Sequence, residues 1–482
     1  MKKHVFYFNL LKMQAMKGMK IWLVTLVMAF VLEAQGQGWM KTYEQPGYQI
    51  AYGVAPTAEG GVLALASGGT SLLKVDGSGN LLFEKNLDEG IPNVIISVPD
   101  GNFAVAGIIY QNIMDNNAGN DSIYVFLTKV NPNGDIIWHN KLLISTYAQD
   151  AAINALVTDP NGGFKLAGFY GSGDPMGSIF FKADASGNIE ILNTLVLGGD
   201  NSAKDVILNP DGDFVVAGQV DSSLFGSNYR GPYLIKASNA GVKIWGETYE
   251  NNTVFNSLVN AANGGYMVAG DANQNASDKN PLCLKVDDNG NEIWQKKWID
   301  IKATINDIII AQGGGYYLFG NTFKGPYDNI PDNLLLIKID ENGNELWRKI
   351  FGSLSWEEGR QLFQTQAGNL FIGGGAYSSS SSYDVLLAKL DSLGNIYASA
   401  ITGSVHFDPE SDCQFDPTEP GLAGWLVQAI GIQSSTTLTD TSGNYFLAVD
   451  TGNYELQIIP PVGPYWEVCN SPYQVDISNC SK

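Results

Sequence analysis

The sequence predicts an all-β protein, and three observations lead to this fold class. A phrase of Gly-Gly, an aromatic residue and Val-Ala-Gly, followed after a variable gap by Leu-x-Lys-x-Asp-x-x-Gly-Asn-x-x-Trp, recurs seven times between Gly60 and Tyr397. Short runs rich in β-branched and aromatic residues alternate with turn residues, and no run has the period of an amphipathic helix. The 482 residues include 55 Gly, 22 Tyr and 21 Phe, a composition that fits an all-β extracellular protein.

The repeat length predicts the architecture. Successive copies end 49 to 55 residues apart, and each holds four short β runs. Tandem units of this length with four strands each are typical of a β-propeller, so the sequence predicts a seven-bladed β-propeller over residues 37–400. Trp39–Tyr43 also matches the outer-strand phrase, so it either completes blade seven or lies beside blade one. The copies end at Phe83, Trp138, Ile191, Trp245, Trp294, Trp347 and Tyr397.

The turn residues support the hairpins of a blade. Pro99–Gly101 and Pro160–Gly163 are placed to join a first strand to a second, because glycine supplies a positive φ that asparagine or aspartate also tolerates. Asp-x-x-Gly-Asn, as at Asp340–Asn344, is placed to join a third strand to a fourth through a type I turn and a left-handed glycine. Each such loop offers too few oxygens for a hard cation, so we predict hairpin turns there rather than calcium sites.

The N-terminus has the pattern of a secretory signal peptide, which we assign to residues 1–36. Lys12, Lys17 and Lys20 precede the apolar run Ile21–Leu32, which is too short to span a bilayer but suits the apolar part of a signal. We expect a secreted or outer-surface protein without a transmembrane segment after signal removal; a membrane anchor is the alternative. The formal net charge of −21 repels phosphate backbones, so we expect no nucleic-acid partner.

A second module is predicted after the repeats. Beyond Tyr397 the composition changes to acidic loops, proline and cysteine, and short β runs such as Gly424–Ala429 and Tyr454–Ile458 follow. Residues 401–482 therefore predict a small β-sandwich.

Three of the four cysteines, Cys413, Cys469 and Cys480, lie within the last 70 residues. In an exported protein this clustering predicts one local disulfide. Cys469 with Cys480 is our first choice, and the spacing leaves the other pairings open. Cys283 lies in an apolar strand, where we expect a buried thiol.

Two resemblances accompany these patterns. Thr439–Phe446, followed by Gly452–Leu456, resembles the B-type domains of serine–aspartate repeat and collagen adhesins and, more widely, the prealbumin-like group. The resemblance covers about the last 80 residues and implies a prealbumin/Ig-like stalk or spacer in a surface protein. The propeller repeats resemble those of secreted and surface proteins of Bacteroidota-like bacteria over most of the chain.

An acidic loop in the second module has the spacing of a calcium loop. Its carboxylates fall at positions 1, 3, 5, 9 and 12, with a backbone carbonyl expected at position 7, and hard oxygens at such positions can surround one calcium ion. B-type adhesin domains have a similar loop, from which this one departs at Glu410 and at Cys413, where glycine is usual. The alternative is a solvated acidic loop. The predicted ligands are Asp408, Glu410, Asp412, Gln414, Asp416 and Glu419.

One register of the repeats predicts a ring around the propeller axis. Nine residues before the second position of each Gly-Gly phrase, a polar side chain recurs in six of the seven copies. Such a ring would line the mouth of the central channel and could receive a carboxylate or hydroxyl-rich ligand. The alternative is that the asparagines cap strand starts and hold channel water. The positions are Tyr52, Asn93, Asn154, Lys204, Asn256, Asn306 and Arg360.

The connections between second and third strands vary in length, and variable loops on a rigid scaffold are common binding sites. Exposed tyrosine offers a flat apolar ring with a polar tip that can stack on sugar or peptide; the alternative is that each ring only anchors its own loop. The aromatic residues of these loops are Tyr110, Tyr170, Tyr229, Phe323 and Tyr327.

The sequence favours a non-enzymatic binding or adhesion scaffold. Of the three histidines, His4 lies in the signal, His139 on an outer strand and His406 in the second module, and no GxSxG, HExxH or phosphate loop is present. The acidic residues of the repeats are expected in turns, so no carboxylate pair stands out. We expect an extracellular glycan or protein ligand and a monomer or part of a longer surface chain. A polysaccharide hydrolase or lyase and a purely structural repeat are the alternatives.

Overall fold

The computed structural model describes most of the chain as β-strands and turns. No helix long and apolar enough to cross a membrane occurs among the described residues. These residues are 5–15, 19–31, 38–44, 49–66, 71–87, 89–112, 121–145, 150–171, 177–195, 200–221, 230–272, 279–323, 333–352, 356–377, 382–396, 399–409, 416, 418–431, 435–449, 452–460, 466–468 and 472–477.

Seven antiparallel sheets of four strands follow one another along the described part of the repeat region, and we number them blades 1 to 7. Their strands, from innermost to outermost, are Ala51–Pro56, Val62–Ala66, Ser71–Val75 and Leu81–Asn86 in blade 1; Ile91–Ser97, Phe103–Asn112, Asp121–Val130 and Ile136–Ser145 in blade 2; Asp150–Thr158, Phe164–Gly171, Gly177–Ala183 and Ile189–Leu195 in blade 3; Asp200–Leu208, Phe214–Asp221, Arg230–Ala237 and Lys243–Thr248 in blade 4; Thr253–Asn260, Tyr266–Ala272, Asn280–Val286 and Glu292–Lys297 in blade 5; Ala303–Ile310, Tyr316–Thr322, Leu334–Ile339 and Glu345–Phe351 in blade 6; and Glu357–Gln364, Leu370–Tyr377, Tyr383–Leu390 and Trp39–Tyr43 in blade 7.

The blades contact one another in sequence, and the last contacts the first. Each innermost strand packs against the innermost strand of the next blade, including Glu357–Gln364 against Ala51–Pro56. Trp39–Tyr43 pairs antiparallel with Tyr383–Leu390, which decides between the two placements that the sequence left open. The repeat copy ending at Tyr397 does not supply the outer strand of blade 7, and Tyr397 itself lies outside the described residues. Repeated four-stranded sheets in this arrangement are those of a β-propeller.

The turn between the third and fourth strands is the hairpin that the sequence predicts. In blade 6, the Asp340 N–H donates to the Asn344 carbonyl at 2.9 Å, the Gly343 N–H donates to the Asp340 carbonyl at 3.1 Å, and Gly343 has a φ of 77°. One Asp340 oxygen accepts the backbone N–H groups of Asn342 and Asn344, both at 2.8 Å. Hydrogen bonds from Asn344 lower the pKa of Asp340. The carboxylate is thus used by the turn itself, as the hairpin interpretation of the motif predicts.

A contact between neighbouring blades explains the tryptophan of the repeat. Trp294, on the outer strand of blade 5, covers the turn glycine Gly343 of blade 6, so closely that a Cβ added to this glycine would lie 2.5 Å from the ring. We call this arrangement the aromatic–turn contact. Equivalent contacts join Trp39 to Gly79, Phe83 to Gly134, Trp138 to Gly187, Leu192 to Gly241, Trp245 to Gly290 and Trp347 to Gly394.

Blade 3 departs from the repeat that the sequence suggested. Ile191, which ends the third copy, is 48% exposed, whereas the neighbouring Leu192 packs on Gly241. The cause is the position of the bulge in the outer strand. In blade 5 the unpaired residue is Ile293, one before the tryptophan, but in blade 3 it is Leu192 itself. The residue that makes this contact in blade 3 is therefore Leu192, one position after the Ile191 that ends the third copy.

The C-terminal module consists of two sheets around one apolar core. The core includes Val405 and Leu447 from one sheet and Val427 and Leu456 from the other. Residues 1–36 stay a predicted signal peptide; two strands lie within this stretch and pair in the first sheet. The strands, in sheet order, are Asn444–Val449, Ser399–Val405, Met19–Val31, Val5–Ala15 and Trp466–Val468 in the first sheet, and Ser435–Leu438, Leu426–Ile430, Gly452–Ile459 and Tyr473–Ile477 in the second.

The module packs against the outer edge of blade 6. Strand Ser435–Leu438 contacts strand Glu345–Phe351, and the Lys349 ammonium lies 4.6 Å from the ring centroid of Phe446 and 5.4 Å from that of Trp347. Burial in this cleft lowers the pKa of Lys349 to about 8.

The aromatic–turn contact predicts a specific cost for one added methyl group. Gly343→Ala places a Cβ at a φ of 77° and within 2.5 Å of the Trp294 ring, so we expect a loss of about 1–3 kcal/mol in the free energy of unfolding. Urea denaturation followed by tryptophan fluorescence measures this loss.

Gly101→Ala is the matched control, because Gly101 also has a positive φ, 83°, but a Cβ added there meets nothing within 4 Å. We expect it to cost about 1 kcal/mol from the backbone conformation alone, less than Gly343→Ala. Equal stability of the two variants would contradict the structural role of the contact.

Candidate functional site: the channel mouth and the variable face

The two ends of the propeller differ in how the strands are connected. Tight turns join first to second and third to fourth strands at one end, the turn face. The remaining connections lie at the other end, the variable face, where the blades reach different heights. In blade 2, Phe103–Asn112 and Asp121–Val130 have 10 residues each, whereas in blade 1 Val62–Ala66 and Ser71–Val75 have 5. Because the strands differ in length, the surface of the variable face is uneven.

The residues of the predicted channel-mouth ring share one structural position. Each is skipped by the strand pairing of its innermost strand, which makes it the extra residue of a β-bulge near the variable face. Bulges redirect a side chain relative to the regular strand. This holds for Tyr52, Asn93, Asn154, Lys204, Asn256, Asn306 and Arg360.

Three asparagines of this ring join neighbouring blades. Asn154 Nδ2 donates to the Ala203 carbonyl of blade 4 at 2.7 Å. In the same way, Asn256 Nδ2 donates to Ile305 O at 2.7 Å, and Asn306 Nδ2 donates to Gly359 O at 2.6 Å. Each acceptor precedes the bulge residue of the next blade. These amides therefore have a structural task, and a ligand-binding role for the ring stays a prediction.

The cations of the ring differ in their surroundings. The Arg360 guanidinium lies 5.3 Å from the Tyr52 ring centroid and pairs with Glu358 at 2.5 Å. Removal of Lys204 from water lowers its pKa. No carboxylate among the described residues lies within ion-pair distance of Lys204. At the channel mouth, Arg360 of blade 7 is therefore neutralised by Glu358 and lies over the Tyr52 ring of blade 1. In blade 4 the corresponding residue is Lys204.

A carboxylate pair that the sequence did not single out lies one residue beyond the ring. Asp205 of blade 4 and Asp307 of blade 6 both contact the Ser257 hydroxyl of blade 5, at 2.9 and 3.1 Å. The expectation that acidic residues of the repeats lie in turns was wrong for these two. The signal was available, because each aspartate directly follows a ring position in its copy of the repeat.

These carboxyl groups also hold backbone groups of the following blade. Asp205 accepts the Leu258 N–H at 2.9 Å, and Asp307 accepts the Leu362 N–H at 2.8 Å. Because a hydroxyl has one proton, Ser257 can donate to only one carboxylate at a time, and the other contact requires a protonated carboxyl group. Removal from bulk water raises the pKa of Asp205 to about 6 and that of Asp307 to about 7. These contacts join blades 4, 5, 6 and 7 and favour a protonated carboxyl group at the pair.

This pair differs from that of a glycosidase. Such enzymes place one acid and one base on opposite sides of a bond in the substrate. Here the described contacts of both carboxyl groups are to the propeller itself. The expected absence of catalysis nevertheless stays a prediction.

The predicted tyrosines fall into different settings. Tyr110 is 38% exposed and its hydroxyl lies 3.5 Å from the Ala151 carbonyl, whereas Tyr170 is half-buried against the core between blades 2 and 3. Phe323 is half-buried, with the Lys279 ammonium 5.8 Å from its ring centroid. Tyr229 and Tyr327 lie outside the described residues.

Sequence reasoning missed two exposed aromatic residues on the variable face of blade 7. Trp356 directly precedes the innermost strand and Tyr377 ends the second strand; they are 46% and 41% exposed. Their ring centroids are 6.0 Å apart. The sequence-based prediction considered only the loops between second and third strands, whereas Trp356 lies in a connection between two blades.

The acidic loop is described only at its ends. Asp408 is fully buried, Glu419 is 7% exposed, and Asp416 is exposed, where its carboxylate accepts the Thr418 N–H at 2.8 Å. Within the described residues no group of three His, Cys, Asp or Glu side chains could hold a metal ion. The calcium site stays a prediction, because Glu410, Asp412 and Gln414 lie outside those residues.

The cysteines are partly described. Cys283 is a free, fully buried thiol, as expected from its apolar strand. The predicted pair Cys469 and Cys480, like Cys413, lies outside the described residues.

The carboxyl pair predicts a stability that falls with rising pH. The folded-state pKa values of about 6 and about 7 lie above the ordinary value of 3.8, so the folded protein holds protons that the unfolded chain loses. The contribution of these two carboxyl groups to the free energy of unfolding is fully present below pH 4 and is lost as the pH rises through 6 and 7. We expect the Tm to fall by several degrees between pH 5 and pH 8, measured by calorimetry.

Asp307→Asn should flatten this slope, because the amide is neutral throughout the range and can still accept the Leu362 N–H. Asp340→Asn is the control. In the parent, the pKa of the Asp340 carboxylate is lowered, so this group stays charged throughout the pH range. The slope of Tm against pH of the Asp340→Asn variant should therefore equal that of the parent. A parent whose Tm rises from pH 5 to pH 8 would refute the assignment.

Comparisons with known proteins concern the fold. No protein-family model and no curated protein matches the sequence. The WD40 β-propeller domain of Doa1 is similar at a TM-score of 0.47 and 12% identity, over 74% of this chain and 97% of that one. A catalytically inactive virginiamycin B lyase from Staphylococcus aureus with quinupristin gives 0.47 and 10%, over 73% and 100%. A protein of unknown function from Dyadobacter fermentans gives 0.43 and 10%, over 76% and 99%.

Proposed function

We propose that this protein is an exported, non-enzymatic binding scaffold whose propeller presents a ligand-binding surface on its variable face. In this proposal the seven sheets form the complete ring of a seven-bladed β-propeller. The protein is secreted or held at the outer cell surface, and its partner is an extracellular glycan or protein.

The contrast between the two faces is the observation that carries the proposal. At the turn face, the glycines of the turns between third and fourth strands are covered by side chains of the preceding blade. At the variable face, strands end at different heights, and all four large aromatic residues that are exposed among the described residues lie there: Tyr52, Tyr110, Trp356 and Tyr377. A rigid support that carries uneven, aromatic connections is suited to recognition.

The inner polar groups also favour binding over chemistry. Asn154, Asn256 and Asn306 donate to backbone carbonyls of the next blade, and Asp205 and Asp307 accept backbone N–H groups of the next blade. These five side chains therefore join neighbouring blades. Cys283 is fully buried.

The C-terminal module completes the proposal as a small prealbumin/Ig-like β-sandwich that serves as a spacer. It packs on the outer edge of blade 6. Two buried carboxyl-bearing residues at the ends of the acidic loop, Asp408 and Glu419, support calcium binding there, which would stiffen the spacer.

The experiment is a binding screen on extracellular glycans and matrix proteins, with and without a calcium chelator, followed by a test of which face binds. Ile299→Cys on the variable face and Leu393→Cys on the turn face, 79% and 61% exposed, are each coupled to a bulky maleimide polymer. The parent treated with the same reagent gives the baseline.

We expect the polymer at position 299 to reduce binding at least tenfold, because it covers the variable face, and the polymer at position 393 to leave binding at the baseline. Equal effects at both positions, or a ligand blocked only from position 393, would refute the proposal.

A further inference from the structure

The variable face of blades 7 and 1 carries a continuous set of exposed aromatic and ion-paired side chains. Trp356 lies against Tyr377, with ring centroids 6.0 Å apart and planes tilted by 38°. Tyr377 in turn meets the edge of Tyr383 at 5.6 Å. The Tyr377 N–H donates to the Trp356 carbonyl at 2.7 Å, so the backbone fixes the two exposed rings relative to each other.

A polar pair continues this surface. Glu358 is two residues beyond Trp356, which directly precedes strand Glu357–Gln364. In extended backbone, residues two apart face the same side and lie about 7 Å apart. Glu358 pairs with Arg360 at 2.5 Å, and the guanidinium lies over the Tyr52 ring at 5.3 Å. Both charged side chains are about one-third exposed, at 28% and 34%. A carboxylate that accepts and a guanidinium that donates thus stand beside two flat apolar rings.

Deepening the proposed function, and resting on it, we propose that Trp356, Tyr377, Glu358, Arg360 and Tyr52 form a binding site for a neutral pyranose glycan. The apolar C–H face of a sugar ring packs on an exposed aromatic ring. Neighbouring hydroxyl groups are both donors and acceptors, and they match a paired guanidinium and carboxylate. The site combines both features within the reach of a short oligosaccharide.

The charge of the site selects a neutral ligand. Arg360 is neutralised by Glu358, and blade 7 also contains two buried acidic residues, Glu357 and Asp384, which are 2% and 6% exposed. The whole chain has a formal net charge of −21. A uronate or sulfated glycan would therefore approach against the field of the protein, whereas a neutral glycan meets no such barrier.

The test is a binding measurement on the full chain with defined probes. These are neutral glycans (laminarin, mannan, xylan and cello-oligosaccharides), acidic glycans (alginate and polygalacturonate) and two matrix proteins (collagen and fibronectin). We expect binding to at least one neutral glycan, and we expect Trp356→Ala and Tyr377→Ala each to weaken it about tenfold.

Trp356→Phe keeps a ring for stacking and should lose less than threefold in affinity. Ile293→Ala is the control, because Ile293 is 57% exposed on the outer strand of blade 5, far from the site, and its affinity should equal that of the parent. Circular dichroism and the Tm confirm that each variant is folded.

Three results would overturn the inference: no neutral glycan binds, an acidic glycan binds more tightly than every neutral one, or folded Trp356→Ala binds like the parent. A protein ligand that is blocked by the polymer at position 299 while no glycan binds would overturn this inference and leave the proposed function intact. If the polymer at position 299 and the polymer at position 393 reduced ligand binding equally, the proposed function itself would be refuted.

Discussion

The contact of an outer-strand side chain with the turn glycine of the next blade is the interaction on which the ring depends. It sets the relative position of two sheets that share no strand pairing. Because the glycine has no Cβ, the ring above it approaches the backbone closely, and the indole N–H groups of Trp39 and Trp245 reach the turn carbonyls of Gly77 and Asp288 at 3.0 Å. This contact is repeated around the axis and holds the outer strands of neighbouring blades in place. The asparagines at the bulges and the aspartates that follow them hold the inner strands in the same way.

The inner and outer contacts act on different parts of the same sheets. Near the axis, side chains from the bulges donate to and accept from the backbone of the following blade, which satisfies polar groups that strand pairing leaves unpaired. At the rim an apolar side chain packs on the turn glycine, and in two blades its indole N–H also donates to a turn carbonyl. A blade held at both edges has little freedom to tilt, so its variable connections start from fixed positions. Rigidity at the base of the loops lowers the entropy that a ligand must overcome on binding.

The sequence predicted the structural features that recur in every repeat, and it missed features that occur in one blade or in one connection. The hairpins at Asp340–Asn344 and the common position of the ring residues follow from spacing, because equivalent residues of tandem repeats occupy equivalent places. The exchange of Ile191 for Leu192 in blade 3 could not be predicted, since the bulge there moves along the strand without a change in residue pattern. The chain from Asp205 through Ser257 to Asp307 depends on three blades meeting at the axis, and no single repeat contains it. Trp356 was missed because it lies in a connection that varies between copies.

Blade 7 is built from the two ends of the repeat region, with Trp39 paired to Lys389 about 350 residues away along the chain. Such a pairing has the largest loop-closure entropy of any contact in the ring, and it cannot form before the last repeat is present. Until Trp39–Tyr43 pairs with it, the edge of Tyr383–Leu390 has unpaired backbone groups that are open to other strands.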